Sequence, residues 1–520
     1  MTLKRSLLIG LTVCLSLTAC LQTYAQRSDP KQDYLKARQR LIQSERNLGP
    51  ASLLVMSLAE EKANSYLQRL KQQEIERTLN AFPPANNFFL MKSEIDKSPL
   101  LPIFKAMPKG AALHAHPGAL GDFRWLIGYA TYLPNCYKYT GPDKMDAWLP
   151  NGSLAFHQAP PDSDWHLVSE LRAIAPDKVK FDEELYQSLT LGVEDLPART
   201  ADLPAFDIWP EFEKCFARAD GLQGYLPVYR EFFRRELEVI AGENVQELEL
   251  RAFLSGPADL SGHSAGNQAA ITEYRQYLKE VRQKYPDFQL KLIFTFARSA
   301  PPAVIAERLK TALALRKKHP DIIVGFDLVN EEDPRKDKAH PLIDFLDLFL
   351  QTARDARTQG TTLPYFFHAG ETNKTENENV YDALLLNTRR IGHGLALIKH
   401  PHLMDLVRRR GIAVEACPIS NQVLGYIPDL RNHPGVHWLR SGVPVTINPD
   451  DPGMMGYTFS YDFYEVFMAW DLNLAELKQL AMNSLQHSAL DPEEKKAAMK
   501  SWRVKWGSWV DWLNSQAPKS

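Results

Sequence analysis

Two histidines, His114 and His116, stand two residues apart in the apolar stretch LHAHPGAL, residues 113–120. If this stretch is a strand, alternate side chains point to one face, so both imidazoles can bind the same metal ion. A His-x-His pair alone is weak support for such a site, because packed or exposed histidines produce the same spacing. The stretch therefore predicts half of a metal site, provided that the rest of the chain supplies further ligands.

Three later stretches supply chemically suitable residues, each at the end of an apolar run. HAGE contains His368 and Glu371, RIGHG contains His393, and NPDDP contains Asp450 and Asp451. Each of these alone fits a polar strand end or, for the aspartates, a helix N-cap. Together, neutral imidazoles and a carboxylate form a common ligand set for a catalytic Zn²⁺ ion, which keeps one coordination position for water. The combined pattern predicts one Zn²⁺ ion per chain with acid and base groups beside it.

The elements that must position these residues are short apolar runs that alternate with helical patterns. Eight candidate strands follow residue 110: AALHAH, VQELELRAFL, LKLIFTFA, IIVGFDLV, LPYFFHAGE, TRRIGHG, IAVEACPIS and VPVTINPDD. The alternation predicts parallel βα units, and eight of them predict an α/β fold of the (β/α)₈ TIM-barrel type. Barrels of this type place their chemistry at the C-terminal ends of the strands. Strands one, five and eight would then bring together the predicted ligands His114, His116, His368 and Asp450.

Two segments extend beyond the barrel, which we place at residues 106–515. About 130 residues separate the first two candidate strands, whereas an ordinary βα unit needs roughly 30. We expect an inserted subdomain at about residues 120–235, because this stretch is rich in proline, glycine and aromatic residues. Residues 26–105 are charged and helix-favouring, which predicts an N-terminal helical region. This region either wraps a partner subunit in a homodimer or covers the barrel of its own chain.

The first 25 residues have the pattern of a signal peptide. Lys4 and Arg5 precede an apolar run at residues 7–17, which is too short to span a bilayer. Two cleavage sites compete: LTAC resembles a bacterial lipobox that ends in a lipidated Cys20, and TYA before Gln26 resembles an ordinary signal-peptidase site. We expect a periplasmic or extracellular protein whose membrane attachment, if it has any, is through Cys20.

The composition excludes several classes of partner. The formal net charge is −2 and no block of like charges occurs, which argues against nucleic-acid binding and favours a small, nearly neutral ligand. Beyond the signal peptide only Cys136, Cys215 and Cys417 remain, so no disulfide framework is expected and at most one pair can form.

The motifs HAH, FHAGET, TRRIGHG, CPISNQV and DDP, in this order, resemble the adenosine deaminase family within the amidohydrolase barrels. FPPANNFF, MPKGAALHAH, LPYFFHAGET, DLRNHP and SYDFYEVFM resemble its secreted branch, the adenosine deaminase-related growth factors. The resemblance covers nearly the whole chain after the signal peptide. It implies zinc-dependent hydrolytic deamination of adenosine or 2′-deoxyadenosine to inosine or deoxyinosine and ammonia, and it implies a homodimer formed through the N-terminal helices.

The resemblance also implies a role for each site residue. Zn²⁺ on its four ligands would activate water, and Glu371 would donate a proton to purine N1. His393 would orient the water and take or stabilise its proton, while Asp451 would hydrogen-bond purine N7. Trp209 corresponds to a tryptophan that closes on the nucleoside, although a large aromatic residue in an insertion more often packs in its core.

Two positions depart from the family pattern. Relatives carry an aspartate within two residues of His-x-His that contacts the ribose, and here Pro117 and Gly118 stand there. The glycine after DLV, whose backbone approaches purine N3, is replaced by Asn330. We therefore expect intact deamination chemistry with a relaxed or shifted preference at the ribose, or a preference for a modified adenine nucleoside.

Two alternative functions remain compatible with the sequence. The first is a barrel metallohydrolase that acts on another amine or amide. The second is a non-catalytic nucleoside-binding signalling protein that retains the fold. The complete set of predicted metal, acid and base residues argues against the second alternative.

Overall fold

The computed structural model describes residues 29–193, 208–332, 340–372 and 377–518. The predicted signal peptide and lipobox, including Cys20, lie outside these residues. Within the described ranges, no helix combines the length and the apolar character needed to cross a membrane.

All eight predicted barrel strands are present. The strands of the chain are β1 (Gly110–Ala115), β2 (Cys136–Tyr139), β3 (Leu154–Phe156), β4 (Trp165–Leu167), β5 (Val245–Ala252), β6 (Gln289–Ala297), β7 (Ile323–Val329), β8 (His368–Ala369), β9 (Arg390–His393), β10 (Ala413–Ala416) and β11 (Val445–Ile447). Two parallel arcs, β1-β5-β6-β7 and β8-β9-β10-β11, form the barrel wall. Parallel bridges from Ala115 to Asp450 and from Phe326 to Tyr365 join the arcs. The predicted (β/α)₈ barrel is thereby confirmed.

Helices precede the barrel and surround it. They are α1 (Pro30–Arg46), α2 (Leu58–Arg77), α3 (Phe88–Ile95), α4 (Leu100–Ala106), α5 (Phe123–Ala130), α6 (Val168–Ile174), α7 (Lys178–Leu189), α8 (Trp209–Gln223), α9 (Leu226–Gly242), α10 (Gly266–Lys284), α11 (Pro302–Lys318), α12 (Leu346–Thr358), α13 (Asn379–Leu385), α14 (Pro401–Arg410), α15 (Pro418–Val423), α16 (Gly435–Ser441), α17 (Ser460–Ala469), α18 (Leu474–Gln486) and α19 (Pro492–Gln516). Short 3₁₀ helices lie at Pro50–Leu53, Pro83–Ala85, Met145–Ala147, Leu342–Phe345, Leu395–Lys399 and Leu430–Asn432.

The chain between β1 and β5 forms a small module of its own. Its three-stranded antiparallel sheet has the order β3-β2-β4, and α8 packs against β3. The packing is close: a Cβ on Gly221 would lie 2.6 Å from the Cβ of Ala155. This module therefore holds α8 in a fixed position relative to the barrel.

The two long N-terminal helices behave differently. α2 packs on the barrel, where Glu60 accepts a hydrogen bond from the Trp506 indole and pairs with Lys478 at 2.6 Å. α1 instead exposes apolar side chains, with Tyr34 69% and Leu41 72% exposed. Of the two predictions for this region, covering the barrel of the same chain applies to α2. Helix α1 instead leaves apolar side chains exposed.

The three described cysteines, Cys136, Cys215 and Cys417, are buried free thiols. No disulfide connects these three residues.

Candidate active site

The four predicted metal ligands meet at the C-terminal end of the barrel. The candidate ligand atoms of His114, His116 and His368 all lie within 4.8 Å of one another. Asp450 Oδ1 lies 3.4 Å from His114 Nε2 and 3.2 Å from His116 Nε2. Ligands 2.1 Å from a tetrahedral ion are about 3.4 Å apart, so these separations fit a bound Zn²⁺-sized cation.

Two further properties of these residues fit a metal site. His114 Nε2 and Asp450 Oδ1 are buried and have no hydrogen-bond partner in the described structure, which is costly unless an ion satisfies them. Burial lowers the pKa of His116 and, more strongly, the pKa of His368. Both imidazoles are therefore held in the neutral form that binds metal.

Buried carboxylates fix the orientation of two ligands from behind. His114 Nδ1 lies 2.9 Å from Glu415 Oε2, and His368 Nδ1 lies 2.6 Å from Asp327 Oδ2. Arg251 joins the two carboxylates, with its Nε 2.8 Å from Asp327 and an Nη on Glu415. Each carboxylate accepts the Nδ1 proton of its histidine, so Nε2 is left free to face the ion.

These supporting charges were missed by the sequence prediction, although a signal was present. In β5, Glu247, Glu249 and Arg251 occupy alternate positions in an otherwise apolar run and are fully buried. Alternation places all three inside the barrel. Arg390 binds both Glu249 and Glu415. Burial alone would raise the pKa of Glu415, but Arg251 and Arg390 hold it well below its usual range.

Glu371 sits on a loop that another glutamate holds in place. Glu332 accepts hydrogen bonds from the backbone N–H groups of Gly370 and Glu371 at 2.8 and 2.9 Å. The Glu371 carboxyl is buried, and its Oε1 lies 3.5 Å from His393 Nε2. Burial, and then the neighbouring Asp450 carboxylate, raise the pKa of Glu371 well above its usual value. These effects favour the protonated form of the Glu371 carboxyl, which suits a role as an acid.

A chain of hydrogen bonds sets the protonation of His393. The backbone N–H of Gly435 donates to His433 Nδ1 at 2.9 Å, so the proton of a neutral His433 is on Nε2. That Nε2–H donates to Asn421 Oδ1 at 3.2 Å, and the Asn421 amide then donates to His393 Nδ1 at 3.0 Å. Since burial lowers the pKa of His433 to about 3 and that of His393 well below its usual value, both rings are neutral. The His393 proton is therefore on Nε2, which faces the Glu371 and Asp450 carboxyls.

The pKa values of the two consecutive aspartates are shifted in opposite directions. Burial alone would raise the pKa of Asp450, but His393 and the ligand histidines lower it well below its usual value. Burial, and then the negative charge of Asp450, raise the pKa of Asp451 well above its usual value. The ionised form of Asp450 is thus favoured, as a metal ligand requires, and the protonated form of Asp451 is favoured. Asp451 Oδ1 is buried without a partner among the described residues.

Backbone strain is concentrated at this site. His393, Asp450 and Asn330 have positive φ values of 58°, 56° and 80°. Left-handed backbone at non-glycine residues costs about 1–3 kcal/mol each and is retained where the surroundings impose it. Asn330 thus keeps the backbone conformation for which glycine is the usual residue.

A cavity of about 460 Å³ opens above these residues. We call its lower end the floor, formed by His116, His368, Glu371, His393, Asp450 and Asp451. We call one side the α8 wall, formed by Trp209, Phe212, Glu213, Phe216, Asp220 and Gln223. Trp209 is only 7% exposed and packs edge-on against Phe212, so it both fills the insertion and lines the cavity. Asn330 also lines the cavity, and its amide donates to Glu213 at 3.3 Å.

The two residues that replace the expected aspartate are fixed by contacts from the insertion. Gly118 has φ 85°, and its N–H donates to Glu236, which also accepts from the N–H groups of Leu120 and Gly121. The Gln223 amide donates to the Gly118 carbonyl at 2.8 Å, and a Cβ at position 118 would lie 2.4 Å from Gln223 Oε1. The positive φ favours glycine here, and a larger residue would also require the Gln223 side chain to move.

Comparison with known proteins agrees with this geometry. The sequence model of the adenosine deaminase family matches residues 272–502, and that of the adenosine/AMP deaminase N-terminal region matches residues 12–105. Adenosine deaminase 2 of Dictyostelium discoideum is 37% identical over 92% of this chain and 87% of its own. Adenosine deaminase 2 of Sus scrofa is 38% identical over 93% of this chain and 94% of its own.

Solved structures agree in fold. The crystal structure of an amidohydrolase from Burkholderia ambifaria with bound Zn superimposes with a TM-score of 0.56 at 20% identity, covering 80% of this chain and 95% of that one. The adenine deaminase of Arthrobacter aurescens gives a TM-score of 0.53 at 19% identity, covering 78% and 99%. With sequence relatives above 35% identity over nearly its full length, the chain belongs to the adenosine deaminase family, alongside the adenosine deaminase 2 proteins.

Proposed function

We propose that the protein is a zinc-dependent adenosine deaminase, which replaces the C6 amino group of adenosine or 2′-deoxyadenosine by oxygen and releases ammonia. One observation carries the proposal. The ligand set His114, His116, His368 and Asp450 converges at the end of the barrel beside Glu371, whose raised pKa favours the protonated form. This arrangement supplies a metal, an acid and a hydrogen-bonding group to the same small ligand.

The four ligands suit Zn²⁺ because they offer three neutral imidazoles and one carboxylate. Zn²⁺ held there supplies Lewis acidity that makes water a competent nucleophile near neutral pH. The Asp327 and Glu415 carboxylates keep the histidine Nε2 atoms directed at the ion. The ions that usually compete for oxygen-rich sites, Mg²⁺ and Ca²⁺, are disfavoured by the imidazoles.

Recognition of the purine requires hydrogen-bond donors on the protein, and a protonated carboxyl group is one. Purine N1 and N7 are hydrogen-bond acceptors without a hydrogen, so each needs a partner that carries one. The raised pKa values of Glu371 and Asp451 favour a proton on each carboxyl. We assign Glu371 to N1, where proton donation makes C6 electrophilic, and Asp451 to N7. His393 presents Nε2–H to the reacting water and orients it.

Ammonia release from the purified protein tests the proposal. Adenosine and 2′-deoxyadenosine should each yield ammonia together with the ultraviolet shift from adenine to hypoxanthine. Cytidine, as the control, should yield neither. If neither adenine nucleoside releases ammonia, the proposal fails, and the alternative of a metallohydrolase for another amine or amide is favoured.

We also propose that α1 forms a homodimer contact, supported by its exposed Tyr34 and Leu41. In sedimentation, Leu41→Glu should convert a dimer to a monomer, whereas Val179→Glu, at an equally exposed site elsewhere, should not. A monomeric wild-type chain would contradict this proposal.

Export with lipidation at Cys20 is likewise a proposal, based on the LTAC pattern. Labelling with a radioactive fatty acid should be lost in Cys20→Ala. Unlabelled wild type would leave cleavage before Gln26 as the mode of export.

A further inference from the structure

The cavity divides into an end that reads the purine and a side that must face the rest of the nucleoside. In the proposed function, the floor residues bind the metal ion and the purine base. A nucleoside bound with its base on the floor extends its sugar past the α8 wall. Polar side chains along that wall are therefore available to the sugar, as are Ser255, Ser299 and Asn330 elsewhere in the lining.

The loop after β1 supplies no side-chain hydrogen bond to the sugar. Pro117 lines the cavity but has no polar side-chain atom. The backbone of Gly118 is engaged on both sides, by Glu236 at its N–H and by Gln223 at its carbonyl. The polar groups on this side must come from α8 instead.

The six residues of the α8 wall repeat at spacings of three and four, so they form one face of the helix. The Gln223 amide donates a hydrogen bond to the Gly118 carbonyl, which connects the end of this helix face to the loop after β1. Asp220 lies three residues before Gln223 and therefore one turn further along the same face. Asp220 lines the same cavity as His116 and Pro117.

Asp220 differs from the other acids of α8 in having no partner. Glu211, on the outer side, pairs with Arg218 at 2.7 Å, and Glu213 accepts from Asn330. Among the described residues, no hydrogen bond or ion pair engages the Asp220 carboxyl, which is open to the cavity. Asp220 is an exposed residue of α8, and desolvation by the nearby protein raises the pKa of its carboxyl. A carboxyl that lines a ligand cavity without a protein partner is available to a ligand.

We propose that Asp220 binds a ribose hydroxyl of the nucleoside and is the main sugar-recognising residue of this chain. The inference rests on the proposed deaminase function and adds the residue that reads the sugar. A hydroxyl donates to the carboxylate at the point where the β1 loop offers only Pro117. The proposal predicts that substrate preference depends on a single side chain of the insertion.

The test is a comparison of Asp220→Asn with wild type on four substrates: adenosine and its 2′-, 3′- and 5′-deoxy analogues. Because a hydrogen bond to a charged group is lost, kcat/KM for adenosine should fall by about ten- to a hundred-fold. For at least one deoxy analogue, the one that lacks the bound hydroxyl, the two proteins should agree within about two-fold. Glu211→Gln, on the same helix but outside the cavity, serves as the matched control and should resemble wild type on all four.

The outcomes distinguish a failure of the Asp220 assignment from a failure of the proposed deaminase function. An equal loss on all four substrates, or no loss on adenosine, overturns the assignment of Asp220 while leaving the deaminase function intact. Wild-type protein that is inactive on all four substrates overturns the proposed function, and the sugar assignment with it.

Discussion

The floor of the cavity comes from the ends of the barrel strands, whereas the α8 wall comes from a helix of the insertion. Around the floor, three histidines are each held by a second buried residue: His114 by Glu415, His368 by Asp327 and His393 by Asn421. On the wall, no such partner holds the Asp220 carboxyl among the described residues. The comparison indicates that these three histidines are firmly positioned, whereas the proposed recognition of the sugar depends on a surface that a few substitutions can change.

The largest expected effect is on the floor, at Glu371. Glu371→Gln keeps the size of the side chain but removes the acidic proton, so kcat should fall by about 10²- to 10⁴-fold. Zinc content, measured by atomic absorption, should remain at the wild-type value because Glu371 is not one of the predicted ligands. Activity near wild type in this variant would remove Glu371 from the mechanism.

The support behind the floor should be nearly as sensitive. Asp327→Asn weakens the hydrogen bond that orients His368, so zinc affinity should fall by roughly 10- to 100-fold in a chelator competition. Asp321→Asn is the matched control, since Asp321 is an exposed aspartate paired with Arg275. Equal zinc affinity in wild type and Asp327→Asn would show that the carboxylate does not position the ligand.

The wall should affect the choice between substrates rather than the chemistry. Glu213 and Asp220 place two carboxyls along it, and the one lysine or arginine among the described lining residues, Arg251, is already bound by two carboxylates. Adenosine 5′-phosphate should therefore be a poorer substrate than adenosine. Glu213→Gln should raise the phosphate-to-adenosine ratio of kcat/KM by a few-fold, since like-charge repulsion is reduced. An unchanged ratio would mean that the wall does not select by charge.

The smallest effect concerns stability. The pKa of His433 is about 3 in the folded chain and about 6.5 when unfolded. Between these values only the unfolded chain binds the proton, so acidification below about pH 6.5 lowers the free energy of unfolding, by up to about 1.4 kcal/mol per pH unit. In His433→Gln, urea unfolding at several pH values should show a slope smaller by about that amount. Identical slopes would show that His433 is not held neutral, and the assigned proton position on His393 would lose its support.

The sequence predicts the barrel and the floor well because each strand is an apolar run that ends in a polar residue. His114, His368 and Asp450 are local signals of that kind. The supports are less predictable, because Asp327 and Glu415 meet their histidines only through contacts 41 and 301 residues apart in the chain. Strands β2 to β4 are three or four residues long, in a segment whose proline and glycine content indicates loops.

Position 220 shows a different limit of sequence reasoning. The loss of an acid at Pro117 is visible in the sequence, but the residue that we propose in its place lies about 100 residues later, on a helix whose orientation the sequence does not specify. Among the described residues, the bond between Gln223 and Gly118 connects the two regions. A local pattern cannot predict such a contact, whereas the folded structure shows it directly.

The central claim is that one Zn²⁺ ion on His114, His116, His368 and Asp450 makes this chain a deaminase. The most direct test is to remove metal with a chelator and then add Zn²⁺ in steps while ammonia release from adenosine is measured. Activity should be absent at first, rise in proportion to bound zinc and stop rising at one ion per chain. Full activity in the metal-free protein, or one bound zinc per chain without ammonia release, would contradict the account.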